Sequence, residues 1–549
     1  MVSRSDLADL MFPNVKPISY WTNLYPPRPT GQIVTRLGPS PTGYMHIGQL
    51  FMVLVNEAIA TQSNGVFFLR IEDTDSKREV EGAKEFLITS LKHFGIKISE
   101  GPIGPNGEDV GAYGPYTQSQ RKDIYHSYIA HLMRQGLAYP CWMTPEELDQ
   151  IRDQQMLAKK APGIYGTYSF RRSKTPQECL DQRKKHPDCV IRFRNSISPG
   201  TKTQFEDANR GLLSMADNCL DHVIMKSNDK LPTYHLAHVV DDHLMGTTHV
   251  IRGEEWLVSV PWHRQLFAAF GREPPIYCHT PLILKLDNGK KRKMSKRSDP
   301  ECSVHYLLEQ GYTVEGIKHY LTALINSDYE DWFVAQQENN TTEPFRIRLE
   351  AMNSSGSLFD ITKLGWWNNQ VLTSLSHDAF WEGLLAWTQQ YDPDFFALLM
   401  ANPDHAKKII NCERLTPNDP KKYNTWADVK ANIGCGFDEI YDAMPMPQFP
   451  LDKDMVKDFL IHYRTTFSLD GDAMARFGRL QEMGDMLGYA RTNAQFKDGG
   501  YKGKIGDLAM ILRIVLCKST KTPDLYAFQT VIGNKKIIQR LDHAIATLS

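Results

Sequence analysis

Residues 35–48, TRLGPSPTGYMHIG, constrain the fold more than any other part of the chain. The apolar pair Ile33 and Val34 precedes this segment, which predicts a strand that runs into a Pro/Gly-rich turn. His46-Ile47-Gly48 then opens an apolar helix. A strand, a turn and a helix N-terminus form a phosphate-binding geometry, because free N–H groups and the helix dipole face the anion. His46 stands at this junction, where it can donate a hydrogen bond to a phosphoryl oxygen.

The length and the composition limit the class of protein. A chain of 549 residues exceeds what one core usually supports, so we expect about two to four domains. The formal net charge of -1 gives no compositional sign of a nucleic acid partner, although local basic clusters would be compatible with one. The nine scattered cysteines include no Cys-x-x-Cys pair and predict reduced, buried thiols in a cytoplasmic enzyme. We expect no signal peptide and no membrane contact, since no run approaches the ~20 apolar residues that span a bilayer.

The pattern along the chain predicts an α/β fold in two halves with an insertion. Residues 1–30 are rich in proline and aromatic residues and are interpreted as an extended arm. Strand and helix patterns alternate over residues 31–136 and 226–310, which predicts a parallel sheet. The polar segment 137–225 interrupts this rhythm and holds one clear strand at 190–194. Beyond residue 311 the pattern is mostly helical.

A basic segment at residues 285–297 is interpreted as a mobile loop with Gly289 as its hinge. Cations there would stabilise the negative charge that builds up on a phosphoryl group and on departing pyrophosphate. A solvated loop or a general RNA-binding patch is the alternative interpretation. The core of the segment is Lys293-Met294-Ser295-Lys296-Arg297, in which Lys296 is the first candidate for the phosphate contact and Lys293 the second.

These segments, PSPTG before His46, RIEDTD at 70–75 and KMSKR at 293–297, resemble class I aminoacyl-tRNA synthetases, and most closely the bacterial glutamyl branch. The resemblance implies a Rossmann-like parallel-sheet catalytic domain and an acceptor-stem-binding insertion at 137–225. It also implies the KMSKR loop within 226–310, a helical stem-contact domain at 311–400 and a helical anticodon-binding domain at 401–549. The segments SLFD at 357–360 and GKIGDL at 503–508 carry the match in the C-terminal third.

The resemblance also implies roles for single residues. The substrate-binding set for glutamate is Arg36, Ser40, Glu72, Tyr234 and Arg252. In it, the planar fork of Arg36 holds the side-chain carboxylate and Glu72 pairs with the α-amino group. The catalytic set is His46, Lys293 and Lys296, and the ATP-binding set is Pro39, Thr42, His46, Gly48, Lys293, Met294, Ser295 and Lys296.

Three departures from the family pattern stand out. Gln49 replaces the last histidine of the first signature, where the glutamyl branch varies. His238 stands where asparagine is common, which removes an expected hydrogen bond to substrate and introduces a group that titrates near neutral pH. Some relatives carry zinc ligands in the insertion, but Cys141 is alone there, so we expect no structural zinc. Metal binding by His235, His238 and His243 is a minor alternative.

The implied reaction has two steps: glutamate and ATP form glutamyl-adenylate, and a terminal tRNA hydroxyl then accepts the glutamyl group. The expected partners are L-glutamate, ATP with Mg²⁺ and tRNA(Glu), with tRNA(Gln) left open, and the expected state is a monomer. The alternatives are the glutaminyl branch, a short paralogue that modifies a tRNA base, an inactive tRNA-binding scaffold and a simple nucleotidylyltransferase. The helical C-terminal third, the length and the intact signatures disfavour them.

Overall fold

The computed structural model describes residues 2–41, 43, 45–75, 79–295, 297–339, 344–412 and 423–548. The chain forms two compact units. The first is Met1–Tyr306 with Leu321–Asp360, and the second is Leu307–Tyr320 with Ile361–Ser549. The finer division into six segments stays a prediction. No helix in the described parts of the chain combines the length and the apolar character that crossing a membrane requires.

All twelve strands of the described residues lie in the first unit. They are β1 Val34–Leu37, β2 Val66–Leu69, β3 Ala138–Cys141, β4 Val190–Phe193, β5 Lys202–Asp207, β6 Gly211–Ala216, β7 Val223–Met225, β8 His249–Gly253, β9 Ile276–Thr280, β10 Ile283–Asp287, β11 Lys290–Lys293 and β12 Ser357–Leu358.

The helices of the first unit connect these strands. They are α1 Arg4–Met11, α2 Ile18–Leu24, α3 Ile47–Thr61, α4 Ala83–His93, α5 Lys122–Arg134, α6 Pro145–Leu157, α7 Pro176–Lys185, α8 Tyr234–Leu244 and α9 Val260–Ala269, with α12 Tyr329–Asn339 further along the chain. The division between the units falls inside two helices, α10 Val304–Glu309 and α11 Val314–Ile325.

Parallel strands confirm the predicted α/β class. β1 pairs with β2 and β8 pairs with β9, both in parallel. The Thr248 N–H donates to the Val34 carbonyl oxygen at 3.0 Å, which joins β1 to the start of β8. β1 and β2 are buried almost throughout, as expected for parallel strands covered on both faces. Helix α3 follows β1 where the sequence predicts it.

The N-terminal segment is helical, so its interpretation as an extended arm is wrong. Ser3 and Asp6 cap α1 reciprocally. The helix buries Leu7 and Ala8 in the same core as α5, and Phe12 extends that contact. Burial of this apolar face outweighs the local preference of the surrounding prolines for extended backbone.

The insertion contains five strands, β3 to β7, rather than the single strand that the pattern indicated. Strands β3, β4 and β7 form one antiparallel sheet. The hairpin β5–β6 instead extends the sheet of β8 and β9, with Asp207 facing Tyr277 in the register. Most residues of β5 and β6 are exposed or half-buried, so their apolar pattern is too weak to reveal the strands.

Residues 285–293 of the basic segment belong to a hairpin, where the sequence predicted a loop hinged at Gly289. β10 and β11 pair antiparallel and close at Asn288 and Gly289. Both residues have positive φ, 49° and 78°, as a type I′ turn requires. The predicted SLFD segment supplies β12, which pairs with β10 in parallel and belongs to the first unit.

The second unit is helical in its described residues, as the pattern predicts. Its large apolar core includes Trp426, Phe459 and Phe528. Its remaining helices are α13 Ile361–Ser374, α14 His377–Tyr391, α15 Pro393–Ala401, α16 Pro403–Asn411, α17 Trp426–Ile433, α18 Asp438–Ala443, α19 Lys453–Thr466, α20 Ala473–Leu487, α21 Asn493–Lys497, α22 Ile505–Cys517 and α23 Leu525–Thr547.

Candidate active site

A cavity of about 550 Å³ opens at the carboxyl ends of β1 and β8. This is the edge at which open α/β sheets bind ligands. The structure brings to its wall residues that are almost 220 positions apart in sequence. Seven predicted site residues line it: Arg36, Pro39, Ser40, His46, Glu72, Tyr234 and Arg252.

A buried ion-pair network underlies one side of the cavity. Arg70 is inaccessible to solvent and donates to Asp242 at 2.7 Å and to Glu72 at 2.8 Å. The Nε atom of Arg36 lies 3.4 Å from the same Asp242. Burial alone would raise the pKa of Asp242, but Arg70 and Arg36 hold it well below its usual range. The carboxylate of Asp242 therefore stays ionised and fixes both arginines.

Glu72 reaches the cavity because the backbone approaches it closely. The Glu72 N–H donates to the Pro39 carbonyl oxygen at 2.9 Å. A Cβ at position 38 would lie 2.3 Å from Glu72 Oε1, so any larger residue there would displace the Glu72 carboxylate. Burial raises the pKa of Glu72 despite the opposing effect of Arg70 and Arg36. A cationic group bound beside Glu72 would favour its ionised form.

Arg252 and Tyr234 also line this cavity. The Nη1 of Arg252 donates to Tyr234 Oη at 3.3 Å, and its Nη2 donates to the Trp256 carbonyl oxygen at 3.2 Å. The rings of Tyr234 and Trp256 pack with their centroids 4.2 Å apart. Two guanidinium groups, Arg36 and Arg252, and one carboxylate thus face a single cavity.

His46 is the N-cap of α3. Its Nδ1 accepts the Gln49 N–H at 3.1 Å, and Gln49 Oε1 accepts the His46 N–H at 3.3 Å. With Nδ1 as acceptor, a neutral His46 carries its proton on Nε2. A Cβ on Gly48 would lie 3.2 Å from His46 Nδ1, so the glycine leaves room for the ring.

A second cavity of about 210 Å³ adjoins the first. His46, Gly253 and Glu255 line both cavities. Gly48, Lys293 and Met294 line the second cavity, so the helix N-terminus and the hairpin border the same space.

Asp299 organises the turn after the hairpin. It accepts both Nη groups of Arg292, at 2.6 and 2.7 Å, and the Ser295 N–H at 2.8 Å. The hydrogen bonds from Arg292 hold the pKa of Asp299 below its usual range. These hydrogen bonds hold the backbone at Ser295, the residue that follows Met294. The predicted Thr42 and Lys296 lie outside the described residues.

Comparison with known proteins identifies the family. The catalytic domain of the tRNA synthetases class I (E and Q) matches residues 32–366, and an anticodon binding domain matches residues 494–545. A glutamate–tRNA ligase of Clostridium beijerinckii is 40% identical over 98% of this chain and 99% of its own length. One from Clostridium perfringens is 39% identical over 98% of this chain and 100% of its own.

A solved structure agrees over almost the whole chain. The crystal structure of a glutamate tRNA ligase from Elizabethkingia meningosepticum, in complex with its amino acid, superposes with a TM-score of 0.71 at 27% identity. The match covers 94% of this chain and 100% of that one. The chain belongs to the glutamate–tRNA ligase family. It is therefore a class I aminoacyl-tRNA synthetase, an enzyme of the ligase class.

The positions at which this ligase departs from the family pattern have physical explanations. Gln49 caps the helix reciprocally with His46, a role that its amide oxygen fills. His238 is completely buried and stacks on the ring of Tyr234, with planes 14° apart. Its Nδ1 lies 2.7 Å from Asp242 Oδ2. Burial lowers the pKa of His238 to about 3, so the expectation that it titrates near neutral pH is wrong.

The minor alternative of a histidine metal site finds no support. His235 Nδ1 lies 3.0 Å from His263 Nε2, and His238 lies against Asp242. Within the described ranges, no three His, Cys, Asp or Glu side chains converge in a geometry that could hold a metal.

Sequence reasoning missed the buried charges of this ligase. Asp242 and its neighbour Asp241 are fully buried on α8, where Asp241 accepts a hydrogen bond from Arg121 at 2.8 Å. The sequence does carry a signal for them: two adjacent acids lie inside the apolar run LAHVVDDHLM. Buried carboxylates require charged partners, so this pattern predicts a buried ion-pair network.

Proposed function

We propose that this ligase binds L-glutamate in the larger cavity and ATP in the smaller one, and that it transfers the activated glutamate to tRNA. Charge complementarity at the larger cavity carries the proposal. Glutamate at neutral pH has two carboxylates and one ammonium group, and Arg36, Arg252 and Glu72 present two guanidinium groups and one carboxylate there.

In this arrangement, Arg36 binds the side-chain carboxylate of glutamate and Glu72 binds the ammonium group. Arg252 and Tyr234 bind the α-carboxylate. Arg36 suits a ligand because its contacts are long: 3.4 Å to Asp242 and 3.5 Å to the Ile251 carbonyl oxygen. Ser40 is exposed on the cavity wall and assists through its hydroxyl.

The smaller cavity suits the phosphates of ATP. The N-terminus of α3 supplies N–H donors and a positive dipole end, His46 offers Nε2–H, and Lys293 adds a cation. We place Thr42, Gly48, Met294, Ser295 and Lys296 in the same ATP-binding set, together with Pro39 on the wall of the larger cavity.

Mg²⁺ is expected to accompany ATP. No described group of three acidic, histidine or cysteine side chains forms a metal cage, which fits a cation held mainly by phosphate oxygens and water. When bound, it would neutralise phosphate charge. The absence of structural zinc stays a prediction.

In the first step an α-carboxylate oxygen of glutamate attacks the α-phosphorus of ATP, and the bond to pyrophosphate breaks. His46, Lys293 and Lys296 stabilise the charge that develops on the phosphoryl oxygens and on pyrophosphate. In the second step a terminal tRNA hydroxyl attacks the glutamyl carbonyl and AMP leaves. By resemblance to its family, the ligase requires bound tRNA for the first step.

We propose tRNA(Glu) as the substrate, a monomeric state and a cytoplasmic location. The match of an anticodon binding domain at residues 494–545 supports tRNA recognition by the second unit. Charging of tRNA(Gln) depends on a few base contacts, each worth about 1–3 kcal/mol.

The direct test is to charge purified tRNA(Glu) and tRNA(Gln) side by side with labelled glutamate and ATP. Charging of tRNA(Glu) alone would establish a discriminating enzyme, and charging of both would establish a non-discriminating one. A preparation of the folded chain that charges neither tRNA would overturn the proposal.

A further inference from the structure

Arg252 is held by a neighbour on the next strand. The parallel register of β8 and β9 sets Arg252 directly opposite His279. The Arg252 Nε–H donates to His279 Nε2 at 3.1 Å, and both side chains are buried. Since Nε lies in the plane of the guanidinium group, this bond restricts how that plane can rotate.

His279 is held in turn by an acid from the insertion. Asp207 ends β5, and its Oδ2 lies 2.6 Å from His279 Nδ1, with neither side chain accessible to solvent. The other oxygen, Oδ1, accepts the backbone N–H groups of Asn209 and Arg210, each at 3.1 Å. Oδ1 also accepts the backbone N–H of His279 at 3.4 Å, so both oxygens of Asp207 are hydrogen-bonded.

Only one arrangement of protons satisfies the hydrogen bonds among Asp207, His279 and Arg252. Burial lowers the pKa of His279, so the imidazole is neutral. Burial opposes ionisation of Asp207, yet the hydrogen bond from His279 lowers its pKa below the usual value. The single imidazole proton therefore lies on Nδ1, facing the carboxylate, and the lone pair on Nε2 accepts from Arg252.

We propose that Asp207 and His279 are positioning residues that fix the tautomer and the orientation needed to aim Arg252 into the amino-acid cavity. The inference rests on the proposed function, in which Arg252 binds a carboxylate of glutamate. It gives the hairpin of the insertion a role in amino-acid binding, in addition to any role in tRNA binding.

The first test is Asp207→Asn, which keeps the shape of the side chain. The two backbone N–H groups hold the amide oxygen at the Oδ1 position, so the amide NH₂ faces His279 Nδ1. The imidazole must then carry its proton on Nε2, and two donors meet between His279 and Arg252. We expect the KM for glutamate to rise at least about tenfold, because small misplacements of a binding group are costly. The KM values for ATP and tRNA should change less than about twofold.

A pair of substitutions at position 279 tests the same point without altering Asp207. His279→Gln offers an amide oxygen to Arg252, whereas His279→Leu removes the acceptor at similar volume. We expect the leucine variant to have the higher KM for glutamate. Adding Asp207→Asn to His279→Leu should raise the KM for glutamate by less than about twofold, because leucine has no imidazole proton to relocate. An equal effect of Asp207→Asn in the native protein and in the His279→Leu variant would overturn the inference.

Two further variants separate the possible failures. Asp221→Asn removes another buried carboxylate of the insertion, one that binds Tyr139 and Asn195, and should leave the KM for glutamate unchanged. Arg252→Ala tests the proposed function itself. A normal KM for glutamate in Arg252→Ala would refute the role of Arg252. An impaired Arg252→Ala with unaffected Asp207→Asn and His279→Leu would refute the positioning role alone.

Discussion

At the scale of residues, the active site is governed by how buried charges are paired. Arg70 has the short contacts, at 2.7 and 2.8 Å, while Arg36 has contacts of 3.4 and 3.5 Å. A buried ion needs close partners to offset its lost hydration. Arg70 is therefore structural, whereas the longer contacts of Arg36 make it the arginine that we propose for a ligand carboxylate.

This difference predicts the effect of Arg36→Ala. We expect the KM for glutamate to rise about tenfold to a hundredfold, since a hydrogen bond to a charged group contributes about 1.5–3 kcal/mol. Steady-state charging of tRNA measures this KM, and the affinity for tRNA should change little.

Arg134→Ala is a matched control, because that arginine pairs with Asp9 at the surface. A KM for glutamate that stays normal in Arg36→Ala, or that rises equally in Arg134→Ala, would contradict the assignment.

At the scale of elements, the hairpin of β10 and β11 carries the basic signature to the second cavity. Its turn depends on the positive φ of Asn288 and Gly289. Asn-Gly is the strongest short-range hairpin signal in a sequence, but the surrounding lysines and arginines led to the interpretation as a mobile loop. The hairpin sets the position of Lys293 by backbone pairing with Leu284.

Gly289→Val should therefore impair the use of ATP. A β-branched residue at a φ of 78° is strained by about 1–2 kcal/mol, and an exposed hairpin can relieve this strain by opening locally. We expect kcat/KM for ATP to fall about threefold to tenfold, measured by ATP–pyrophosphate exchange with tRNA present.

Gly271→Val provides the matched control, because Gly271 has a φ of 64° and open space around its Cβ position but does not line either cavity. Equal losses in the two variants would show a general effect of strain and contradict a specific role for the hairpin.

At the scale of the whole molecule, the first unit holds several buried or half-buried neutral histidines. Burial lowers the pKa of His238 to about 3, and those of His222 and His235 to about 4. The unfolded chain has histidines with pKa values near 6.5. Below pH 6.5 the unfolded state therefore binds protons that the folded state does not, and the free energy of unfolding falls with falling pH.

We expect each such histidine to reduce the free energy of unfolding by about 1.4 kcal/mol per pH unit below 6.5. His238→Asn should remove one of these contributions and flatten the pH dependence by that amount. Urea unfolding between pH 7.5 and 5, followed through hydrogen exchange of α8, measures the slope. Parallel slopes for the two proteins would contradict the prediction.

Reasoning from the sequence succeeded where local pattern decides structure. The strand before His46, the helix after it and the class of the fold are confirmed, because their apolar periodicity is encoded within a few residues. The predicted residues Arg36, Glu72, Tyr234 and Arg252 share one cavity, while their roles in binding stay predictions. The helical arm and the extra strands of the insertion were missed, since their stability comes from packing against distant segments.

The sequence by itself determined the family signatures, the α/β pattern and the candidate residues, because each is encoded by neighbours in the chain. Only the tertiary structure decided which buried charges meet. Asp242 joins Arg36 and Arg70 from more than 170 positions away, and Asp207 reaches Arg252 through His279. A charge becomes a binding group or a structural one according to the partners and the burial that folding gives it, and sequence spacing does not record either.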